Sequence, residues 1–301
     1  MTLEDLQEEW LAAQFLGSLL RDGELFLLLG AGVSAGIGLP SWSELVEQCE
    51  AAVGIAYTGP SRSADDLMRA IDSVARELKK AGRDATDLQV VVREALYNNN
   101  LRTAEGYGNE IIANPLLIAL GALVMSSARG SVADVFTLNF DDLLEWYLHL
   151  HGFRTQVVSN FPVPLRGDRD VTVFHLHGFV PLVESAYQHS DWLVLSHSQL
   201  VARLASGYDQ PWPTLLSSRL MSKRFLAVGT SMRDMDIDVL LTRARQMVGA
   251  NSKLGVVVMA DISDDRKSAL LDLGVVPVDL GDFKKIPEFL LEVCRNAAAE
   301  G

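Results

Sequence analysis

Short, fully apolar runs alternate with amphipathic stretches along most of the chain. The clearest run, 25–29, holds five apolar residues in succession and ends at a glycine, which is typical of a strand buried on both faces of a parallel sheet. Helical spacing predicts an opening helix ending near Arg21, a helix over 236–247 and a closing helix around Phe289. Further runs with the pattern of strands span 132–138, 171–176, 192–195, 225–228, 254–259 and 275–278. This alternation predicts an α/β fold with a doubly wound, Rossmann-like parallel sheet.

The stretch 54–128 departs from this alternation. Few of its positions have a strand pattern, whereas apolar residues such as Leu67 and Ile71 recur at helical spacing. We therefore expect a single domain over 1–301 with a helical insertion at about 54–128. Within the insertion, the apolar run 115–125 is longer than a surface helix needs, so we expect a homo-oligomer in which part of this run packs on another copy. Burial within the chain's own core would give the same pattern.

Composition narrows the class of protein. The 301 residues carry a net charge of −13 and are 49% hydrophobic, which suits a folded chain and disfavours direct binding of nucleic acid. Cys49 and Cys294 are too few for a four-ligand zinc site, and no cluster of ligating residues has metal spacing, so we expect neither zinc nor another metal. The acidic start lacks the pattern of a signal peptide, and no apolar run is long enough for a bilayer. We predict a cytoplasmic protein without membrane contact.

Glycine-rich or polar segments follow four of the predicted strands. The first begins at Gly30 and includes Gly32 and Ser34. Its glycines allow the backbone to approach a pyrophosphate, although a plain tight turn has the same pattern. Behind this segment, Ser41 and Glu44 form the Ser-x-x-Glu pattern of a capping box, which predicts the start of a helix.

The second and third segments carry amide and imidazole groups. Asn139 offers a donor and an acceptor to a sugar or a water, whereas Asp141 is equally suited to cap the next helix. Period-two alternation places His175 and His177 on one face of their strand, with His177 last before a glycine at the carboxyl edge of the sheet. Such histidines serve either as hydrogen-bonded structural groups or as acid/base groups.

The fourth segment, Gly229, Thr230 and Ser231, is followed by Asp234 and Asp236. Small hydroxyl side chains after a strand suit phosphate or ribose binding, while a polar turn into a helix capped by either aspartate has the same pattern. Ligands of open α/β sheets bind outside the carboxyl ends of the strands, where the strand order reverses. The four segments therefore predict one shared site.

Taken together and in order, the segments GAGVSAGIGLP, TLNFD, HG and GTS resemble the sirtuin superfamily. The resemblance extends from residue 30 to residue 231 and implies NAD as the ligand. It implies that Asn139 holds a water and the nicotinamide ribose, that Asp141 faces the carboxamide, and that His177 is the catalytic base. The other NAD contacts that it implies are Gly30, Ala31, Gly32 and Ser34 at the pyrophosphate and neighbouring ribose, and Gly229, Thr230 and Ser231 on the adenosine side.

The chain departs from sirtuin deacylases in the part that binds the acyl-peptide. It has no four-cysteine zinc module. Where those enzymes have Asp-Phe-Arg, this chain has Ser41, Trp42 and Ser43. No acyl-lysine-binding strand is recognisable over 179–200. Sirtuin-like proteins of bacterial antiviral defence resemble the chain in this combination, and they hydrolyse NAD. The resemblance therefore implies an NAD+ hydrolase that acts as the toxic effector of a defence system. An NAD-dependent protein deacylase and a non-catalytic NAD- or ADP-ribose-binding subunit are the alternatives.

Restraint of such an activity is expected, because an unregulated NAD hydrolase harms its host. Similarity to related stand-alone chains implies a HerA-type hexameric ATPase or another defence partner. Gly82, Gly106 and Gly108, with the asparagine run 98–100, predict turns and mobility within 54–110. We expect part of 54–110 to lie over the site as a lid.

Overall fold

The chain folds as alternating strands and helices, and the computed structural model describes residues 2–83, 85–97, 104–125, 127, 130–159, 168–183, 193–205, 211–249 and 252–299. The strands are β1 (Leu25–Leu29), β2 (Asp134–Thr137), β3 (Thr155–Val158), β4 (Val171–His175), β5 (Arg224–Val228), β6 (Gly255–Met259) and β7 (Val275–Asp279). The helices are α1 (Glu9–Arg21), α2 (Gly32–Ala35), α3 (Trp42–Ala52), α4 (Ala64–Lys80), α5 (Ala85–Tyr97), α6 (Ala104–Ala113), α7 (Pro115–Val124), α8 (Leu143–Leu150), α9 (His197–Ala205), α10 (Pro211–Ser222), α11 (Met235–Val248), α12 (Asp264–Asp272) and α13 (Ile286–Ala299). None of the helices in these ranges combines the length and apolar character that crossing a membrane requires.

The described strands form one sheet in the order β3-β4-β2-β1-β5-β6-β7, and every adjacent pair is parallel. On one side of β1 the chain adds β2 beside it, then β3 at the edge of the sheet, and then β4 between β2 and β3. It then returns to the other side of β1 for β5, β6 and β7. The strand order therefore reverses at β1, and a crevice is expected there at the carboxyl ends of the strands. The predicted doubly wound parallel sheet is confirmed.

Helices cover both faces of this sheet. Successive residues of β1 alternate between two apolar cores: Leu27 contributes to a core with α1, α7, α8 and α13, and Phe26 to a core with α10, α11 and α12. In the second core, Phe26 and Phe136 lie edge to face with ring centroids 5.5 Å apart, and Phe136 stacks on Phe174 at 4.7 Å. Because both faces are covered, the strand needs apolar residues at every position, which explains the unbroken run seen in the sequence.

Two of the strand expectations differ from the structure. The run 192–195 is not a strand in its described part: Leu193 makes only an isolated antiparallel bridge to Gly178, and Trp192 lies outside the described residues. Conversely, the pattern does not predict β3, at the edge of the sheet, where buried and half-buried residues alternate. An edge strand that begins Thr155-Gln156 lacks the apolar run by which the central strands are recognised.

The stretch 54–128 contains α4, α5, α6 and α7. Gly82 follows α4 with a φ of +76°, as expected of a turn glycine, because a side chain is strained in that conformation. Gly106 and Gly108, in contrast, lie within α6 rather than in turns. The asparagine run 98–100 lies outside the described residues.

Candidate active site

The four sequence segments converge on a cavity of about 350 Å³ at the reversal of the strand order. They follow β1, β2, β4 and β5, which are neighbours in the middle of the sheet. The cavity has the size of a small-molecule site. Its walls include these residues from the four segments: Gly30, Ala31, Ser34, Asn139, Asp141, His177, Gly229, Thr230 and Ser231. Gly32, also predicted to contact NAD, is not among the wall residues.

The glycines after β1 allow two loops to touch. A Cβ on Gly30 would lie 2.6 Å from the Thr230 Cβ, and one on Gly32 would lie 2.8 Å from the Gly229 Cα, so neither position has room for a side chain. The Gly32 N–H donates to the Gly229 carbonyl at 2.8 Å, which fixes the loops against each other. Gly32 therefore shapes the cavity through packing, whereas Gly30 and Ala31 present backbone at the wall.

Ser34 connects the first segment to the second. Its Oγ donates to the Asp141 Oδ1 at 2.9 Å and accepts from the Asn139 Nδ2 at 3.1 Å. The Asn139 N–H in turn donates to the Thr137 Oγ1 at 3.0 Å. These contacts fix both the amide and the backbone of Asn139 at the carboxyl end of β2.

One polar atom of this network is unused. The Asn139 Oδ1 is buried and has no hydrogen-bond partner among the described residues. A buried acceptor without a donor costs about 1–3 kcal/mol, so its persistence indicates a site that a ligand or water completes. A ribose hydroxyl or a bound water supplies such a donor.

Asp141 has two contacts of different kinds. It accepts from Ser34, and the same Oδ1 accepts from the Leu143 N–H at 3.2 Å, close to the start of α8. The N-cap position itself is occupied by Asp142, so the expected capping role of Asp141 is only approximate. Burial raises the pKa of the Asp141 carboxyl to about 6, against the lowering effect of the hydrogen bonds from Ser34 and Leu143.

His177 is held by a residue from the other side of the strand reversal. Its Nε2 lies 3.0 Å from the Oδ2 of Asp236, in the first turn of α11. The Asp236 side chain is 1% exposed and that of His177 13%, and both residues line the cavity. Asp234, at the N-cap of α11, also lines the cavity, and burial raises the pKa of its carboxyl.

His175 has a separate environment. Its Nε2 lies 2.6 Å from the Glu145 Oε1 of α8, and its Nδ1 lies 3.0 Å from the Asn139 carbonyl oxygen. The expectation that His175 and His177 lie on one face of a strand does not hold, because β4 ends at His175 and the chain turns at residues 176 and 177. The two rings therefore meet partners on helices that belong to different cores.

Apolar side chains form another part of the wall. Trp42, from the first turn of α3, lines the cavity beside Phe140, with ring centroids 6.3 Å apart. The capping box predicted at Ser41 and Glu44 is present and sets the start of α3. The aromatic rings lie next to Asn139, where they provide an apolar surface for a flat heterocycle.

Helices α4 and α9 complete the cavity. Asp65 and Met68 of α4 line it, and Leu200 of α9 faces them as part of the same wall. The two helices are connected at the surface, since the Ser198 Oγ donates to the Asp72 Oδ1 at 2.5 Å and the Ser198 N–H to the Asp72 Oδ2 at 3.2 Å. The structure thus places part of 54–110 against the predicted NAD site.

Metal ligation finds no support in the described ranges. Within them, no group of three or more His, Cys, Asp or Glu side chains is arranged to hold a metal ion. The site there combines glycine backbone, hydroxyl, amide, carboxyl and imidazole groups and the Arg233 guanidinium with an apolar wall. This donor set suits a dinucleotide: backbone and hydroxyl groups for its phosphates and ribose, and rings for its base.

Two comparisons with known proteins concern the family of this chain. Residues 133–278 match the family described as SIR2-like domain, a range that starts just before β2 and ends in β7. Over these residues the chain is therefore sirtuin-like, as its motifs indicate. It is also 24% identical over 255 residues to the NAD(+) hydrolase ThsA of Cytobacillus dafuensis. That similarity covers 82% of this chain but 43% of the relative, so the matched region spans less than half the length of ThsA.

Sequence reasoning misses the two carboxylates that contact the histidines, Asp236 at His177 and Glu145 at His175. The pattern presents Asp236 only as a helix cap and gives no reason to single out Glu145. The sequence signal for either residue is weak. Asp236 and Glu145 are each a carboxylate in the first turn of a helix that follows one of the strands with a predicted site segment. Such a position is common to many solvated aspartates and glutamates, so only the packed structure distinguishes them.

Proposed function

We propose that this protein cleaves NAD+ with water to give ADP-ribose and nicotinamide. The observation that carries the proposal is the buried, unpartnered Asn139 Oδ1 in one cavity with a carboxylate-bound imidazole, His177. The sirtuin-like domain and the distant similarity to an NAD(+) hydrolase support the same substrate. The water-derived oxygen forms the new bond to the ribose as the bond to nicotinamide breaks.

Each residue has a distinct part in this reaction. The Asn139 amide, fixed by Ser34, positions the attacking water or a ribose hydroxyl through its open Oδ1. His177 accepts the proton that the water or hydroxyl loses, and releases it to solvent. Trp42 and Phe140 shield the nicotinamide side from bulk water, which strengthens the electrostatic interactions around the developing positive charge on the ribose.

We infer a regulated role in bacterial antiviral defence, with NAD depletion as the toxic outcome. The resemblance of the motifs to defence proteins supports this role. Self-assembly and a HerA-type ATPase or another defence partner are part of the same proposal. The α4–α9 contact supplies a physical means of control, because α4 and α9 both line the cavity and are joined by the Asp72–Ser198 hydrogen bonds. Parting of these helices would widen the entrance.

The test measures nicotinamide release from NAD+, with and without an acyl-lysine peptide. We expect cleavage without peptide, and Asn139→Ala and His177→Ala should each lower it by about 10²–10⁴-fold, the usual effect of removing a positioned acid/base group. His149→Ala, which removes an exposed imidazole on α8, is the matched control and should retain activity.

Three results would contradict the proposal. Turnover that requires the acyl peptide would indicate a deacylase. Binding of NAD+ without any turnover would indicate a binding subunit. Near-wild-type turnover by folded His177→Ala would show that the proposed acid/base mechanism is wrong.

A further inference from the structure

The His177 imidazole has one nitrogen committed to a buried carboxylate. Its Nε2 lies 3.0 Å from the Asp236 Oδ2. The other oxygen of the same carboxylate, Oδ1, accepts the Ile237 N–H at 3.1 Å. Asp236 is therefore held by its own helix, α11, and it meets His177 from a fixed direction.

We propose that Asp236 is the positioning residue of the site, which fixes the tautomer of His177. This inference rests on the proposed function, because it specifies how His177 acts there. An ionised carboxylate only accepts hydrogen bonds, so the Nε2 facing it carries the hydrogen in the neutral ring. The lone pair then resides on Nδ1, and Nδ1 is the atom that takes the proton from water or ribose. The carboxylate also stabilises the imidazolium that results.

The position of Ile237 predicts what an amide would do in place of this carboxylate. In Asp236→Asn, the side-chain oxygen is retained by the Ile237 N–H, since an NH₂ group there would oppose another donor. The NH₂ group then faces the Nε2 of His177 and can only donate to it. Nε2 becomes the acceptor and the hydrogen moves to Nδ1. Nδ1 then has no lone pair to accept the proton from water or ribose.

Asp238→Asn provides the matched control. Asp238 lies on the same helix two residues further on, is not part of the cavity wall, and loses its charge by the same chemical change. It tests whether any loss of charge at the start of α11 has the effect that we assign to Asp236. A tautomer change in Asp236→Asn but not in Asp238→Asn isolates the contact with His177.

The experiment is a ¹⁵N NMR measurement of the histidine ring nitrogens in the protein without NAD, with the His177 signals assigned by their loss in His177→Gln. We expect the Nε2–H tautomer in the wild type and the Nδ1–H tautomer in Asp236→Asn. Steady-state kinetics should show kcat reduced by about 10²–10⁴-fold with KM for NAD little changed, because loss of the correct tautomer affects the proton transfer and not the binding.

The two proposals fail differently. An Nδ1–H tautomer in the wild type would overturn the role of Asp236, and this measurement needs no variant that has to fold. An unchanged tautomer in folded Asp236→Asn would overturn it as well. If the tautomer behaves as expected but the wild type does not cleave NAD+, the proposed function fails and the orientation of His177 by Asp236 stands.

Discussion

The buried pair of Glu145 and His175 offers a quantitative test of the structure. Both side chains are almost fully buried, at 3% and 0% exposure, and the Oε1 and Nε2 atoms lie 2.6 Å apart. Glu145→Ala leaves the imidazole without its partner in the core. Removal of one member of a buried ion pair costs about 3–5 kcal/mol, so we expect a loss of that size in the free energy of unfolding.

The loss should depend on pH in a defined direction. Burial by itself lowers the pKa of His175, but the charge and hydrogen bond of Glu145, with the Asn139 carbonyl, outweigh it, and the pKa lies above its ordinary value. A histidine whose pKa is raised by folding stabilises the fold, and this contribution is fully present below the pKa of the unfolded chain, about 6.5. The contribution is lost as the pH rises through the pKa of His175 in the folded protein. The destabilisation by Glu145→Ala should therefore be larger at pH 6 than at pH 9.

The carboxyl groups of Asp141 and Asp142 add to this pH dependence of the Glu145→Ala destabilisation. Burial raises the pKa of Asp141 to about 6 and that of Asp142 to about 7, and the charge of Glu145 contributes to both increases. Above these pKa values both aspartates are ionised, and the charge of Glu145 repels them. Removal of Glu145 relieves this repulsion at high pH, which further reduces the cost of the substitution there.

Urea unfolding at pH 6 and pH 9, followed by circular dichroism, measures both effects. The control is Glu94→Ala, which removes an exposed glutamate of α5 and should change the free energy of unfolding by less than about 0.5 kcal/mol. A loss below about 1 kcal/mol for Glu145→Ala, the value of an exposed ion pair, would refute the buried pair. An equal loss at both pH values would refute the sign of the His175 pKa shift.

Two predictions concern the cavity. Asp72→Ala removes both hydrogen bonds to Ser198, each worth about 0.5–1.5 kcal/mol, and should raise basal NAD+ hydrolysis several-fold. Asp272→Ala, which removes an exposed carboxylate of α12, is the control. An unchanged basal rate in Asp72→Ala would argue against the α4–α9 gate. Gly32→Ala places a methyl group 2.8 Å from the Gly229 Cα, so the free energy of unfolding should fall by about 1–3 kcal/mol. Calorimetry should also show weaker binding of NAD. Wild-type stability of this variant would show that the two loops are not in contact.

The sequence by itself determined the central strands and the place of the chemistry. The central strands are covered on both faces, and β1, which is buried at every position, appears as an uninterrupted apolar run. A motif that directly follows such a strand must lie at the carboxyl edge of a parallel sheet. The sequence pattern alone therefore suffices to place Asn139 and His177 at one site.

Only the tertiary structure decided what supports those residues. Asp236 reaches His177 across 59 residues of chain, and Glu145 reaches His175 across 30. These contacts depend on which strands are neighbours and on which face each helix packs, and an apolar pattern does not encode the order of strands. For a related reason the sequence does not reveal the edge strand β3, or that α4 is the part of 54–110 that meets the cavity together with α9. Partly exposed elements bury too few apolar residues to show their partners in sequence.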